Sequence, residues 1–302
     1  MTAVRSRRLT MVAFLAPVAL LAFVLPTLTS STAKSAVVIR VTKVLVFVEE
    51  NHSLNEMKAQ MPYTFGLAKR YGYASNYKAI RHPSLPNYLA IAGGSTFGVT
   101  DDAGPSSHHV NTSSVFGRAI AVGRTAKTYA EGMGSKCSAT NVGKYAVKHN
   151  PWVYFTPTVS ERQKCLAYDV PETALATDIK NGTLPTVGMV IPNLCNDAHD
   201  CSLATADAWF KSRMVNVLAG PDFKAGRLAV ILTADEDDRT QANTVLTMVV
   251  HPSLDGLHKV VSTPLTHYSL TRLLQDVAHS KPYLLNAATA PNLATAFGLT
   301  IG

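Results

Sequence analysis

The sequence has only four cysteines and two tryptophans in 302 residues. It has no internal repeat, no low-complexity tract and no clear linker between domains. No two cysteines stand in a C-x-x-C pair, which argues against a thiolate zinc framework. With Trp152 and Trp209 alone, no aromatic cage for a choline-like head group can be drawn. No basic helix and no aromatic-basic stripe is present, so binding of nucleic acid is not expected. Long apolar runs are also scarce: the N-terminal one, Met11 to Pro26, is short for a bilayer span and is interrupted by Pro17. No stable membrane anchor is therefore expected, an uncleaved N-terminal anchor being the alternative. The length suits one large domain or two small ones, with ample room for a buried core.

What is there begins with a leader. Arg5, Arg7 and Arg8 precede the apolar run, and a small, polar stretch from Thr27 to Ala36 follows it. That order is the order of a secretory signal, with Ser31-Thr32-Ala33 as the expected cleavage site. Residues 1–36 are read as signal peptide and 37–302 as a single domain. The expected destination is outside the cell or on its surface, by general secretion or, on the hint of Ser6-Arg7-Arg8, by twin-arginine export. The leader carries Arg5, Arg7, Arg8 and Lys34 and no acid, so its removal lowers the net charge from +8 to +4. Half of the basic character is thus a targeting feature. Four cysteines in an exported chain predict disulfides. The expected pairing is Cys195 with Cys201 and Cys137 with Cys165, with the two other connectivities open.

Along the mature chain, continuous apolar runs of strand length alternate with helical patterns. The runs are 44–48, 187–191, 228–232 and 247–250; the helical patterns cover roughly 64–71, 86–92, 114–122, 203–218 and 268–278. Runs without alternation fit strands buried on both faces, and the alternation predicts an α/β sandwich. The segment from about 96 to 165, rich in Gly, Ser, His and Asn, reads as long loops over the sheet.

Polar clusters follow directly on these runs. The first ends in Glu49-Glu50-Asn51-His52, the second in Asn193 through Asp200, the third in Asp235-Glu236-Asp237-Asp238 and the fourth at His251; His267 stands just before a helix. The carboxyl edge of an open α/β sheet is where ligands bind. Carboxylates delivered there by three strands repel one another unless a cation lies among them, and added imidazole shifts the preference towards zinc or iron. Asp237 and Asp238 read as a solvated turn. A further cluster, His82-Pro83-Ser84-Leu85-Pro86-Asn87-Tyr88, puts a stiffened hydroxyl at the start of an apolar helix that Gly93-Gly94 ends. Free N–H groups and the positive end of a helix dipole make that a natural place for phosphate.

Glu50-Asn51, Ser84-Leu85-Pro86-Asn87, Asp197-x-His199-Asp200, Asp235-Glu236 and His267-Tyr268-Ser269, in this order, resemble the bacterial phosphoesterase family that includes phospholipases C and AcpA-like acid phosphatases. The resemblance runs from about residue 42 to 299. It implies a three-layer α/β/α sandwich of the alkaline-phosphatase kind, with a mixed, mostly parallel central sheet. It also implies Ser84 as the nucleophile of a phosphoserine intermediate. Glu50, Asn51, Asp235 and Glu236 match metal ligands. Asp197, His199 and His267 match positions that bind a second ion in two-metal relatives and contact phosphate or leaving group in others. Asn87 matches an amide that steadies a phosphoryl oxygen, and His149 in Lys148-His149-Asn150 is in line to reach the substrate. One or two divalent ions are implied, among Ca, Mg, Zn and Fe. His199 or His267, where not a ligand, would give a proton to the leaving oxygen.

The chain is much shorter than typical phospholipases C of this family, which favours a small soluble phosphate monoester over a membrane lipid. A phospholipase C-type diesterase is the alternative. An inactive secreted binding protein is the other, but Ser84, Asp235 and Glu236 are all retained. Sulfatases of the same superfamily carry Arg four residues after the modifiable residue, where this chain has Tyr88.

Overall fold

The computed structural model describes residues 1–3, 5–14 and 39–302. The expected cleavage site and most of the apolar run of the leader lie outside the described residues. The described residues of the N-terminal unit, which ends at Val37, form no helix or strand. No helix among the described residues is long and apolar enough to cross a membrane.

From residue 39 onwards the chain builds ten strands. They are β1 (Lys43–Glu49), β2 (Gly72–Ala74), β3 (Tyr77–Lys78), β4 (Ala126–Ala130), β5 (Asp169–Pro171), β6 (Val187–Ile191), β7 (Leu228–Ala234), β8 (Thr247–Val250), β9 (Lys259–Val261) and β10 (Leu265–Thr266). Eight form one sheet in the order β5-β4-β6-β1-β7-β8-β2-β9, and β10 pairs with β3 in a small second sheet. β1 is central, parallel to β6 on one side and to β7 on the other. Within the large sheet β8 alone runs against its neighbours, β7 and β2. All residues of β6, β7 and β8 are buried, as strands covered on both faces must be. One helical layer packs 84–93, 115–121 and 293–297 around 267–278; the other packs 54–60, 62–70, 174–181 and 221–224 around 203–219. The result is the expected three-layer sandwich with a mixed, mostly parallel sheet.

Three expectations change. The fourth apolar run is a strand, but it runs the other way, so His251 lies at the opposite edge, its Nε2 3.0 Å from the carbonyl of Gly226 ahead of β7. The stretch 96–165 is not only loop around its expected helix, which spans 115–121: it also supplies β4, which pairs with both β5 and β6, and the start of the helix 159–168. The helix expected over 86–92 spans Ser84–Gly93, so Ser84 is its first residue. It stops at Gly94, whose φ of 72° is the left-handed conformation that favours glycine at a helix end.

Candidate active site

The parallel trio β6-β1-β7 ends at one edge, and the polar clusters that follow these strands meet there. Glu50 follows β1, and its N–H donates to the carbonyl of Asp197, beyond β6, at 2.8 Å. The N–H of Asp235, just past β7, donates to the carbonyl of Glu49 at 3.0 Å. Asn51 takes a φ of 51°, which asparagine tolerates, and its N–H reaches Asp235 Oδ1 at 3.2 Å. Three elements distant in sequence are thereby locked together by their own backbone.

Ser84 enters over this edge at the start of its helix and is only 1% exposed. Its hydroxyl donates to Glu50 Oε2 at 2.9 Å. One helical turn later, Tyr88 donates its hydroxyl to the other oxygen, Oε1. His149 stands between Glu50 and Asp197, with Nε2 3.2 Å from Glu50 Oε2 and Nδ1 3.1 Å from Asp197 Oδ2. These are ion-pair distances without good hydrogen-bond alignment. The imidazole also stacks on the Tyr88 ring at 5.1 Å. Burial alone would lower the His149 pKa; the Glu50 and Asp197 carboxylates overcome it and raise the value to about 10. Burial likewise pushes Glu50 up, but His149 and Tyr88 outweigh it and hold the carboxyl below its ordinary range. His149 thus has an acidic side chain at each ring nitrogen, and the substrate contact expected of it does not fit that place. Glu49, its neighbour in sequence, is fully buried without a hydrogen-bond donor, and burial together with Asp197 raises its pKa well above the usual range.

On the other side of Ser84 lie Asn51, Asp235 and Glu236. Burial, Glu50 and Glu236 push the Asp235 carboxyl far up, and burial, partly opposed by His82, moves Glu236 to about 7. Asn51 Oδ1 and Asp235 Oδ2 are buried with no hydrogen-bond donor, and Glu236 Oε2 faces His82 Nδ1 at 2.9 Å. Buried acceptors without donors are rare and call for an explanation such as an ion. A hard divalent cation fits this donor set of amide and carboxylate oxygens. Glu50 and Asp197, also expected as ligands, are committed to His149, Ser84, Tyr88 and the His199 N–H. Among the described residues, no three acidic or imidazole ligand atoms of this site lie within 4.8 Å of one another. On this side of Ser84 the oxygens without a donor are those of Asn51, Asp235 and Glu236; Asp197 Oδ2 and both Glu49 oxygens lack one as well, on the His149 side.

Several other expected roles do not match the contacts. The Asn87 side chain is fully buried, with Oδ1 accepting from the N–H groups of Ile80 and Arg81 and Nδ2 donating to the carbonyls of Arg81 and Pro83. It braces the turn before Ser84, and nothing of it is left for a phosphoryl oxygen. His267 is fully buried, with Nε2 donating to the Asp235 carbonyl at 2.6 Å and Nδ1 accepting from the Tyr77 hydroxyl at 3.1 Å. Burial lowers its pKa to about 4, so it is a neutral strut beneath Asp235 and not a proton donor. His199 does stand at the rim. Its Nε2 lies 3.3 Å from Lys148 Nζ, which can only donate, and its Nδ1 lies 2.8 Å from Asp200 Oδ1. That arrangement also leaves His199 without a proton to give from Nε2. Asp237 is buried, accepting from the N–H groups of Arg239, Gln241 and Asn243 and lying 3.1 Å from His82 Nε2, so it organises its loop and is not solvated. Cys137–Cys165 and Cys195–Cys201 are both bridged.

Sequence reading missed Tyr88 and Asp102. Tyr88 could have been found, because i and i+4 share a helix face with Ser84. Asp102 sits in a loop with no periodic signal, yet its Oδ1 accepts from the Leu85 N–H at 2.9 Å and its Oδ2 from Lys148 Nζ at 3.1 Å.

The chain matches the model of the Phosphoesterase family over residues 47–277. A phosphatidylinositol-3-phosphatase of Mycobacterium tuberculosis is 32% identical over 266 residues, covering 84% of this chain and 82% of that protein. A phosphate-repressible acid phosphatase of Penicillium chrysogenum is 32% identical over 216 residues, 69% of this chain, which spans about half (52%) of the fungal protein. Among solved structures, a protein of the alkaline phosphatase superfamily from Vibrio parahaemolyticus shares the fold, with a TM-score of 0.57, 8% identity and coverage of 83% of this chain and 70% of that one. With this site at the carboxyl edge of this sheet, the chain belongs to the Phosphoesterase family and is a hydrolase of phosphoric ester bonds.

Proposed function

We propose that this chain is an exported, metal-dependent phosphatase that hydrolyses phosphate monoesters through a phosphoserine on Ser84. The observation that carries the reading is the Ser84 hydroxyl itself. It stands at a helix start, hydrogen-bonded to Glu50, beside the donor-less oxygens of Asn51 and Asp235. A divalent cation held by Asn51, Asp235 and Glu236 would supply positive charge that makes the serine a better nucleophile and neutralises phosphoryl oxygens. One ion is the expected number, because Asp197, His199 and His267 are already engaged by protein groups. The serine proton has Glu50 Oε2 as its acceptor at 2.9 Å. Export is supported by the composition of residues 1–36 and by the two disulfides.

The name of the mycobacterial relative favours a second reading, in which the monoester is carried on a phosphoinositide. Both are tested by assaying a chain lacking residues 1–36 on para-nitrophenyl phosphate, its bis-ester and phosphocholine analogues, and phosphatidylinositol 3-phosphate in vesicles, with and without chelator. Chelator-sensitive release from monoesters is the expected result; preference for either diester would replace it with the phospholipase C-type reading. Ser84→Ala is expected to lower kcat by several orders of magnitude at unchanged Tm. A variant that keeps most of its activity rules out the phosphoserine.

A further inference from the structure

Lys148 lies one residue before the buried His149, yet it points elsewhere. Its Nζ is 3.1 Å from Asp102 Oδ2 and 3.3 Å from His199 Nε2. Asp102 in turn holds the Leu85 N–H, the backbone group next to Ser84, at 2.9 Å. One carboxylate thus connects the first turn of the Ser84 helix to an ammonium. Beyond that ammonium is a pocket of about 420 Å³, bordered by Asp102, Thr140, Asn141, Val147, Lys148 and His199. Its size falls in the range of roughly 300–1,000 Å³ found for small-molecule sites. Burial opposes the charge on Lys148, but Glu50 and Asp102 raise its pKa, so it is a cation.

We infer that this pocket receives the alcohol portion of the ester, that Lys148 is the proton donor to the departing oxygen, and that Asp102 is the residue that positions it. The inference rests on the phosphatase reading above. His199 accepts where a donor was expected, and His267 is out of reach beneath Asp235. Lys148 is then the group at the rim with protons to give.

In the first step Ser84 Oγ bonds to phosphorus, its proton passes to Glu50, and the ester P–O bond breaks with its electron pair on the alcohol oxygen. That oxygen takes a proton from the Lys148 ammonium and leaves as the alcohol. In the second step water attacks the phosphoserine and gives a proton to the Lys148 amine. Glu50 returns the first proton to Ser84, and inorganic phosphate is released. Protonation matters most for a poorly acidic alcohol, and hardly at all for para-nitrophenolate, which leaves unaided. Thr140, Asn141 and Asp102 give the pocket hydrogen-bonding groups for a polyhydroxylated alcohol.

The test compares kcat/KM of wild type, Lys148→Met, Lys148→Arg and Asp102→Asn on para-nitrophenyl phosphate, phenyl phosphate and glycerol 3-phosphate, with Tm recorded for each. Methionine keeps the length of the stem and removes the charge. Lys148→Met is expected to lose about 100-fold or more on glycerol 3-phosphate, the size of a general-acid contribution, and less than 10-fold on para-nitrophenyl phosphate. Asp102→Asn should show a smaller loss with the same dependence on leaving group, and Lys148→Arg little recovery on the alkyl ester. A loss equal on all three substrates, or none, in a folded variant overturns the inference and leaves the phosphatase reading standing. Wild-type protein inactive on every monoester overturns both. Should Lys148→Met fail to fold, the slope of rate against leaving-group pKa in Asp102→Asn decides alone: a slope equal to that of wild type overturns the inference.

Discussion

At the scale of single residues, the site separates groups that face the reaction from groups that hold others in place. Asn87 is the clearest case of the second kind. Its amide makes four hydrogen bonds to backbone between Ile80 and Pro83, so Asn87→Ala would leave half-buried backbone groups unpaired. The expected cost is about 1–3 kcal/mol, read as a lower Tm by thermal unfolding, with kcat reduced and KM for para-nitrophenyl phosphate nearly unchanged. A large rise in KM at wild-type Tm would restore Asn87 to the phosphoryl group. The identity of Asn87 was legible from its motif, but its role was not, because an amide has donors and an acceptor and sequence does not say which partners take them. The same holds for His267, whose two nitrogens are spent on Tyr77 and on a backbone carbonyl.

Among elements, strand ends decide the chemistry. The apolar runs at 44–48, 187–191 and 228–232 announced β6-β1-β7 and hence the edge where Glu50, Asp197 and Asp235 meet. Strand direction was not legible: the run at 247–250 reads the same whichever way it points, and as β8 it carries His251 away from the site. β4 escaped because its sequence, Ala-Lys-Thr-Tyr-Ala, is not an apolar run. Lys127 leaves the strand to pair with Asp178 at 2.6 Å, and the Thr128 hydroxyl is spent on Asp169. The loop after β6 is stapled by Cys195–Cys201, with Asp197 and His199 inside it. A bridge across six residues contributes about 2 kcal/mol by loop entropy. Replacing both cysteines by serine is expected to lower Tm by several degrees and kcat/KM on alkyl phosphates at least tenfold. Full activity in the serine variant would mean that the loop holds its shape without the staple.

Over the whole molecule, the densest concentration of buried acid is also the junction of three strands. Glu50, Asp197 and the Asp235-Glu236 pair come from three segments and are all buried, with the His149 ring among them. A bound divalent ion would stabilise the native state alone, by an amount set by its concentration relative to Kd, reaching about 2.7 kcal/mol at one hundredfold excess. Chelation is therefore expected to lower Tm and abolish monoesterase activity together, and re-addition of one divalent metal to restore both. Loss of activity with Tm unmoved would place the metal outside this cluster. The alternation of apolar runs announced an α/β sandwich and four cysteines in an exported chain announced disulfides, while the three layers and the mixed sheet came with the family resemblance. The hand-over of each carboxylate to a specific partner follows from packing that no local window contains.

The depth of Ser84 has a practical side. At 1% exposure in the first turn of its own helix, the Ser84 hydroxyl is hydrogen-bonded to the Glu50 carboxyl group and not to an imidazole base, an arrangement suited to a phosphoryl group and not to a sulfonyl fluoride. Phenylmethylsulfonyl fluoride and its bulkier relatives, which mark serine hydrolases with open active sites, should leave the intact mass of this protein unchanged, while vanadate inhibits it. Activity-based surveys that rely on such reagents would pass it by, and an adduct on Ser84 would show that the serine is activated without a phosphoryl group in place.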